Sequence, residues 1–217
     1  MRRGERRRQP SITIPYRFPA KYTIMAILIY PRHTPPKVDG EEYGEQLHID
    51  ISQYAQVFGV MIGKATPQSL RFLMAVNTAK YEKEGKTVIE YGGLALPRMY
   101  LDVERLEIGK TYLYNGKNYK PSVIKATKTM AQENGFAYFS IVLMNMPENM
   151  YEWDITARAY VKYTNQQGET ITEYSDDGGD GTKTQYASLY SIAEKYVSDP
   201  EANRDDVEIL NGIFGME

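Results

Sequence analysis

The sequence predicts a mainly β protein: an antiparallel β-sandwich with a short helical extension at its C-terminus and an extended basic arm at its N-terminus. Three observations lead there. Tyrosine is over-used, with 19 residues against two histidines and no cysteine, and tyrosine favours half-buried pleated surfaces and contact faces. Through the middle of the chain apolar residues recur at period two, which puts them on one face of a strand. Only near the C-terminus does the period lengthen to that of a helix.

The arm is the first ten residues, MRRGERRRQP. It holds five arginines (Arg2, Arg3, Arg6, Arg7 and Arg8) and one glutamate, while the rest of the chain sets 21 Lys and Arg against 27 Asp and Glu. Such a segment has nothing to bury and reads as a solvated tail. Its guanidinium groups also suit phosphate or an acidic protein surface, so nucleic acid and neighbouring subunits are the partners it admits. Residues 11–36 mix β-branched and aromatic side chains with prolines, the pattern of an extended segment tied to an edge. Within them 22–30 (YTIMAILIY) is the longest apolar run, shorter than the roughly 20 residues of a membrane-spanning helix. A basic start before an apolar run is the order of a secretory signal. Pro15, Pro19 and Pro31 interrupt it, however, and no small-residue cleavage site follows, so no signal is expected.

Strand follows strand from there. Residues 47–51 (LHIDI) alternate, and 54–62 form a second apolar stretch closed by Gly63 and Pro67. In 69–76 (SLRFLMAV), Leu70, Phe72, Met74 and Val76 share a face that should meet a core. Residues 78–85 (TAKYEKEG) suit a short helical turn, with Thr78 as N-cap and Gly85 as the stop. Residues 87–96 (TVIEYGGLAL) return as a strand whose Gly92-Gly93 pair marks a bulge or a close backbone approach. Asn115-Gly116 lies between two tyrosine-rich arms in 110–120 and supplies the positive φ angles of a two-residue hairpin turn. Residues 136–144 (FAYFSIVLM) are apolar on both faces, as a central strand is. Residues 155–163 alternate, sending Ile155, Ala157, Ala159, Val161 and Tyr163 one way and Thr156, Arg158, Tyr160 and Lys162 the other. A turn at 165–168 leads to a partner strand at 169–174. Helical spacing of Tyr186, Leu189, Tyr190, Ala193, Tyr196 and Val197 predicts an amphipathic helix over 184–197, ended by Asp199-Pro200. A second helix is expected from 205 to 214, with Val207, Leu210, Ile213 and Phe214 on one stripe.

From residue 70 to about 196 this order of elements resembles a β-sandwich module of Firmicutes surface proteins. The resemblance is carried by LRFLMAV, TAKYEKEG, VIEYGGLALP, the pair FAYFSIVLMNMPENMYEWDITARAYVKY, a strand ending in Tyr174-Ser175 and the helix SLYSIAEKY, with Ala157 to Tyr163 the most telling match. It implies an immunoglobulin-like, non-catalytic module that spaces or displays other domains, and similar folds occur in phage structural proteins. Here the module is joined to an arginine arm and an extra helix instead of sitting within a long multidomain chain. That departure brings the phage particle forward beside the cell surface as a location. The expected organisation is a basic extended arm at 1–20, N-terminal strands packing on or extending the sandwich at 21–66, the module at 67–197, and a helical tail at 198–217.

Catalytic and cofactor signatures are scarce. No nucleophile elbow, phosphate-cradling loop or dinucleotide fingerprint is present, and the lack of cysteine removes disulfides, thiolate chemistry and cysteine-ligated zinc. No cofactor is expected. His48 and Asp50 alternate on one side of a strand and His33 lies across a proline-rich loop, but no further metal ligands stand at a recognisable spacing. Asp176, Asp177 and Asp180 in EYSDDGGDGTKTQY have the composition of a calcium loop. They do not follow the EF-hand ladder, so a turn is the leading reading and a weak calcium site the alternative. The carboxylate pairs Glu41-Glu42 and Glu82 with Glu84 offer no reason to be chosen for glycoside hydrolysis. Trp153 with Tyr151, Tyr160 and Tyr163 is a candidate aromatic platform, against which core packing of Trp153 is weighed. The hairpin tyrosines Tyr112, Tyr114 and Tyr119 are candidate contact residues, or else cross-strand pairs that stabilise the hairpin itself. The function expected is that of a non-enzymatic assembly protein of a virion or bacterial surface, contacting copies of itself or other structural subunits. A carbohydrate-binding or adhesion module is the alternative.

Overall fold

The computed structural model describes residues 32–33, 49–50, 52–62, 68–101, 105–175, 186–200 and 202–216. The architecture is mainly β, and every strand pairing within it is antiparallel. In chain order, β1 (Arg32–His33) pairs with β2 (Ile49–Asp50), and β3 (Ala55–Ile62) and β4 (Leu70–Asn77) follow. Next come α1 (Thr78–Lys83), β5 (Thr87–Pro97), a 3-10 turn at Arg98–Tyr100, β6 (Tyr112–Tyr114) and β7 (Lys117–Tyr119). The chain continues through β8 (Ser122–Lys125), β9 (Ala131–Glu133), β10 (Phe136–Leu143), β11 (Ile155–Thr164) and β12 (Thr170–Tyr174). It ends with β13 (Tyr186–Ala187), α2 (Leu189–Val197) and α3 (Arg204–Phe214).

One sheet has the order β3-β4-β10-β9 and the other β12-β11-β5-β8, with β13 joining β11. Period-two alternation decides what each sheet turns inward. Leu70, Phe72, Met74 and Val76 of β4, Phe139 and Ile141 of β10, and Ala157, Ala159 and Val161 of β11 meet in one core. That core continues under α2 and α3 through Leu189, Ile192, Tyr196, Leu210 and Phe214. As its two apolar faces predict, β10 is an interior strand, lying between β4 and β9.

The glycine pair of β5 marks a close approach. A Cβ on Gly93 would stand 2.6 Å from Met74 Cε and 2.7 Å from Ile141 Cδ1 of the opposite sheet, and one on Gly92 would collide with the backbone carbonyl of Ile124 on β8. The ladder irregularity lies elsewhere, where β11 shifts register against β5 between Lys162 and Tyr163.

Two boundaries differ from the sequence reading. Helix α1 is capped by Asn77, whose side chain accepts from the Lys80 amide at 3.0 Å. Thr78, also a competent cap, instead donates its hydroxyl to the Gly135 carbonyl at 3.0 Å. Gly85, at φ +69°, follows the helix as expected. Helix α2 starts at Leu189, later than the stripe predicts, because Tyr186 and Ala187 pair with β11 and Ser188 closes a capping box with Ser191.

The polar face of β11 is not solvated. Thr156, Arg158 and Tyr160 are buried, because the chain after β5 loops out and lays Leu101, Leu106 and Tyr112 over Leu94, Leu96 and Tyr160. Arg158 fastens this cover. Its Nε donates to the Ser175 carbonyl and its Nη1 to the Leu106 carbonyl, both at 2.8 Å, and the guanidinium lies 4.7 Å from the centre of the Tyr174 ring. Burial, and secondarily Arg105, pull its pKa below the usual arginine value. Among the described residues no helix is long and apolar enough to cross a membrane.

Candidate interaction surface

The hairpin β6–β7 forms as Asn115-Gly116 dictates, with φ of 47° and 73° at the two turn residues. Its register sets Tyr112 opposite Tyr119 and Tyr114 opposite Lys117, so the three tyrosines share one face. They do not share a role. Tyr112 is 3% exposed; its hydroxyl donates to the Arg105 carbonyl at 2.6 Å and accepts from the Glu107 amide at 2.9 Å. It is the root of the hairpin and offers no contact area. Tyr114 and Tyr119 are half-buried, and Leu113, on the opposite face, is 73% exposed.

The ring that unites this surface comes from outside the hairpin. Tyr100, at the end of the 3-10 turn after β5, stacks on Tyr119 with centroids 3.9 Å apart and planes 14° from parallel. It also tilts against Tyr114 at 5.2 Å and meets Trp153 edge-on at 6.3 Å. Partial burial, followed by the neighbouring Tyr119, raises the Tyr100 phenol pKa. Trp153 is half-buried and packs in part against the main core. Its anticipated partners are dispersed: Tyr160 and Tyr163 sit on opposite faces of β11 and are buried, and Tyr151 packs edge-on against Phe214 at 5.1 Å. The four-residue platform therefore does not form, and a Tyr100–Tyr114–Tyr119–Trp153 cluster stands in its place. Met99, beside Tyr100 in the chain, is 41% exposed. Arg98, one residue earlier, lays its guanidinium 3.8 Å over the Tyr186 ring and lies 3.8 Å from Asp154. Sequence reasoning had no signal for Tyr100, because its place in the cluster depends on how the excursion folds back.

Two charged clusters lie apart from this surface. At one, Glu173 accepts from the Tyr81 hydroxyl at 2.7 Å and the Tyr163 hydroxyl at 3.0 Å. The Lys86 ammonium stands 4.9 Å from the centres of the Tyr54 and Tyr163 rings and 2.7 Å from Glu84, which also accepts from the Tyr54 hydroxyl. Burial and the Glu173 contact push the Tyr81 phenol far up, and the Glu84 contact raises Lys86. At the other, Glu90 accepts from Lys125 at 2.6 Å, Lys162 at 2.9 Å and the Tyr160 hydroxyl at 3.1 Å. Those contacts, Lys125 first, lower its pKa to about 2. General acid–base work needs a pKa near the working pH. Each of these shifts moves its group further from the neutral range, and in both clusters the hydrogen bonds join residues of different elements. Glu84, one of the carboxylates weighed for glycoside hydrolysis, is committed to Lys86 and Tyr54.

No group of three or more His, Asp or Glu side chains lies together among the described residues. The arginines Arg2, Arg3, Arg6, Arg7 and Arg8, the acidic-loop residues Asp176, Asp177 and Asp180, and His48 lie outside the described residues. Compared with known proteins, the chain matches no family model and no curated relative.

Proposed function

We propose that this chain is a non-enzymatic assembly protein, an immunoglobulin-like β-sandwich that joins a phage particle or a bacterial surface array. It docks another structural subunit, its own copy or a different one, through the β6–β7 hairpin, with Leu113 on its outward face and the Tyr100–Tyr114–Tyr119–Trp153 cluster supporting it from behind. The observation that carries this reading is Leu113, 73% exposed on one face of a two-residue hairpin whose other face is backed by the packed rings of Tyr114, Tyr119 and Tyr100. A large aliphatic side chain held out from a preformed support is the geometry of an interface anchor, since no ordering cost remains for the residues around it. The antiparallel sheets sharing one core and the fused arginine arm fit the same reading, and the resemblance of residues 70–196 supports it. The basic arm would meet an acidic neighbour or nucleic acid.

A carbohydrate-binding module is the second reading, favoured by Trp153 and Tyr100 on one side of the fold. It is weakened by the stacking of Tyr100 on Tyr119, which occupies ring faces that a sugar would need. The test is sedimentation of the full chain, alone and with Leu113→Asp, alongside a glycan array. Association that the substitution abolishes, with a blank array, supports assembly. A monomer that retains specific glycans overturns it.

A further inference from the structure

Charge is sorted along the chain around the hairpin. Residues 108–132 hold five lysines and no acidic residue, whereas residues 133–157 hold four acidic residues and neither lysine nor arginine. In the basic run, Lys117 opens β7 and Lys120 directly follows it. Both are exposed, on either side of Asn118, which the register places on the outward face with Leu113. The other lysines nearby are engaged: Lys125 is held by Glu90, and Lys110 stands 5.7 Å from the centre of the Tyr112 ring.

The link from β10 to β11, residues 144–154, has the opposite sign. Glu148 and Glu152 are exposed there, and Met144 is 65% exposed. Asp154 is already engaged, 3.8 Å from Arg98. Link and hairpin adjoin the same rings, because Trp153 of the link meets Tyr100 edge-on and Tyr100 stacks on Tyr119 of the hairpin. Yet Lys117, Lys120, Glu148 and Glu152 form no ion pair among the described residues. A surface with a basic lip and an acidic lip, each carrying an exposed apolar side chain, complements itself across a two-fold axis.

We infer that the subunit docked by the hairpin is a second copy of this chain, whose acidic β10–β11 link receives Leu113, Lys117 and Lys120 while its own hairpin engages the first copy's link in return. The inference rests on the docking role proposed for the hairpin and names its partner. A nucleic-acid strand fits this surface less well. Tyr100 and Tyr119 spend ring faces on each other, so bases would lose the stacking platform that strand binding uses, and Leu113 offers no ring.

Charge reversal on the full chain tests it by sedimentation velocity. One variant carries Lys117→Glu with Lys120→Glu, the other Glu148→Lys with Glu152→Lys. Each should self-associate at least about tenfold more weakly than the parent, since like charges then face each other. An equimolar mixture of the two should form a dimer again, because each hairpin then meets a link of opposite sign, and that recovery shows both variants to be folded. Parent association should weaken at least about tenfold between low salt and 0.5 M salt, as screening shortens the reach of the charges. Link variants that associate as the parent does, or a mixture that stays monomeric, overturn the inference. If Leu113→Asp still abolishes association in that case, the docking role of the hairpin stands without it. Retention on immobilised single-stranded DNA that depends on Lys117 and Lys120, with self-association unchanged by their reversal, overturns it in favour of nucleic acid. A parent that never associates overturns the inference together with the reading beneath it.

Discussion

Replacing each of three glycines by alanine separates the effect of space from that of backbone freedom. None of Gly92, Gly93 and Gly212 has a positive φ, so alanine fits the backbone conformation at each. In the unfolded chain the change from glycine favours folding by about 0.4–1 kcal/mol. The surroundings decide the sign. At Gly212, in α3, nothing beyond the adjacent residues and the helix's own backbone lies within 4 Å of a new Cβ, and Gly212→Ala should stabilise by about 0.8–1 kcal/mol. At Gly93 the obstacles are the flexible ends of Met74 and Ile141, which can shift at an overpacking cost of about 1–3 kcal/mol; Gly93→Ala should be destabilising by about 1 kcal/mol net. At Gly92 the obstacles are the Ile124 carbonyl, which is backbone, and the Tyr160 ring at 2.9 Å, which is buried. Relief there requires displacing β8, so Gly92→Ala should cost about 3 kcal/mol. Urea unfolding followed by tyrosine fluorescence gives the three midpoints, expected in the order Gly212→Ala above the parent, then Gly93→Ala, then Gly92→Ala. A Gly92→Ala midpoint equal to the parent's would refute the close packing of β5 against β8 and β11.

Arg158→Met should leave the Ser175 and Leu106 carbonyls without their donor, lowering stability by about 2–4 kcal/mol and speeding amide exchange across 105–120 ahead of the sheets. Tyr81→Phe removes a hydrogen bond to the Glu173 carboxylate and should cost about 1.5–3 kcal/mol by chemical denaturation, with the fold retained. Glu90 titrates near 2 in the folded chain against an ordinary 4.5, so its contribution is complete above pH 4.5 and fades as pH falls towards 2. Solvent screening at the exposed Lys125 limits that contribution to about 1–2 kcal/mol. Glu90→Gln should therefore narrow the stability gap with the parent between pH 5 and pH 2, as thermal melts across that range would record.

What was legible in the sequence is what local periodicity and turn chemistry encode. Leu70, Phe72, Met74 and Val76 alternate without interruption and all reach the core; Asn115-Gly116 admits little besides a tight hairpin. Strands β8 (SVIK) and β9 (AQE) were missed because short, mostly exposed edge strands have no buried face to impose a pattern. Helix α2 was predicted too early because Tyr186 fits its stripe, and only pairing with Thr156 of β11 shows that the residue is strand. The burial of Thr156, Arg158 and Tyr160 was not readable either. Their alternation with apolar residues marks an outward face, and nothing local announces that residues 101–121 return to cover it. The candidate surface was half visible. Tyr114 and Tyr119 were identified from the hairpin, Tyr112 proved to be its root, and Tyr100 and Trp153 join only through tertiary folding.

The hairpin surface is the centre of the functional reading, and sedimentation velocity of the full chain over a wide concentration range tests it most directly. The parent should associate as concentration rises, and Leu113→Asp, which alters a side chain that supports nothing in the fold, should sediment as a monomer with an unchanged melting temperature. A parent that stays monomeric throughout, or a Leu113→Asp variant that associates as the parent does, would contradict the account.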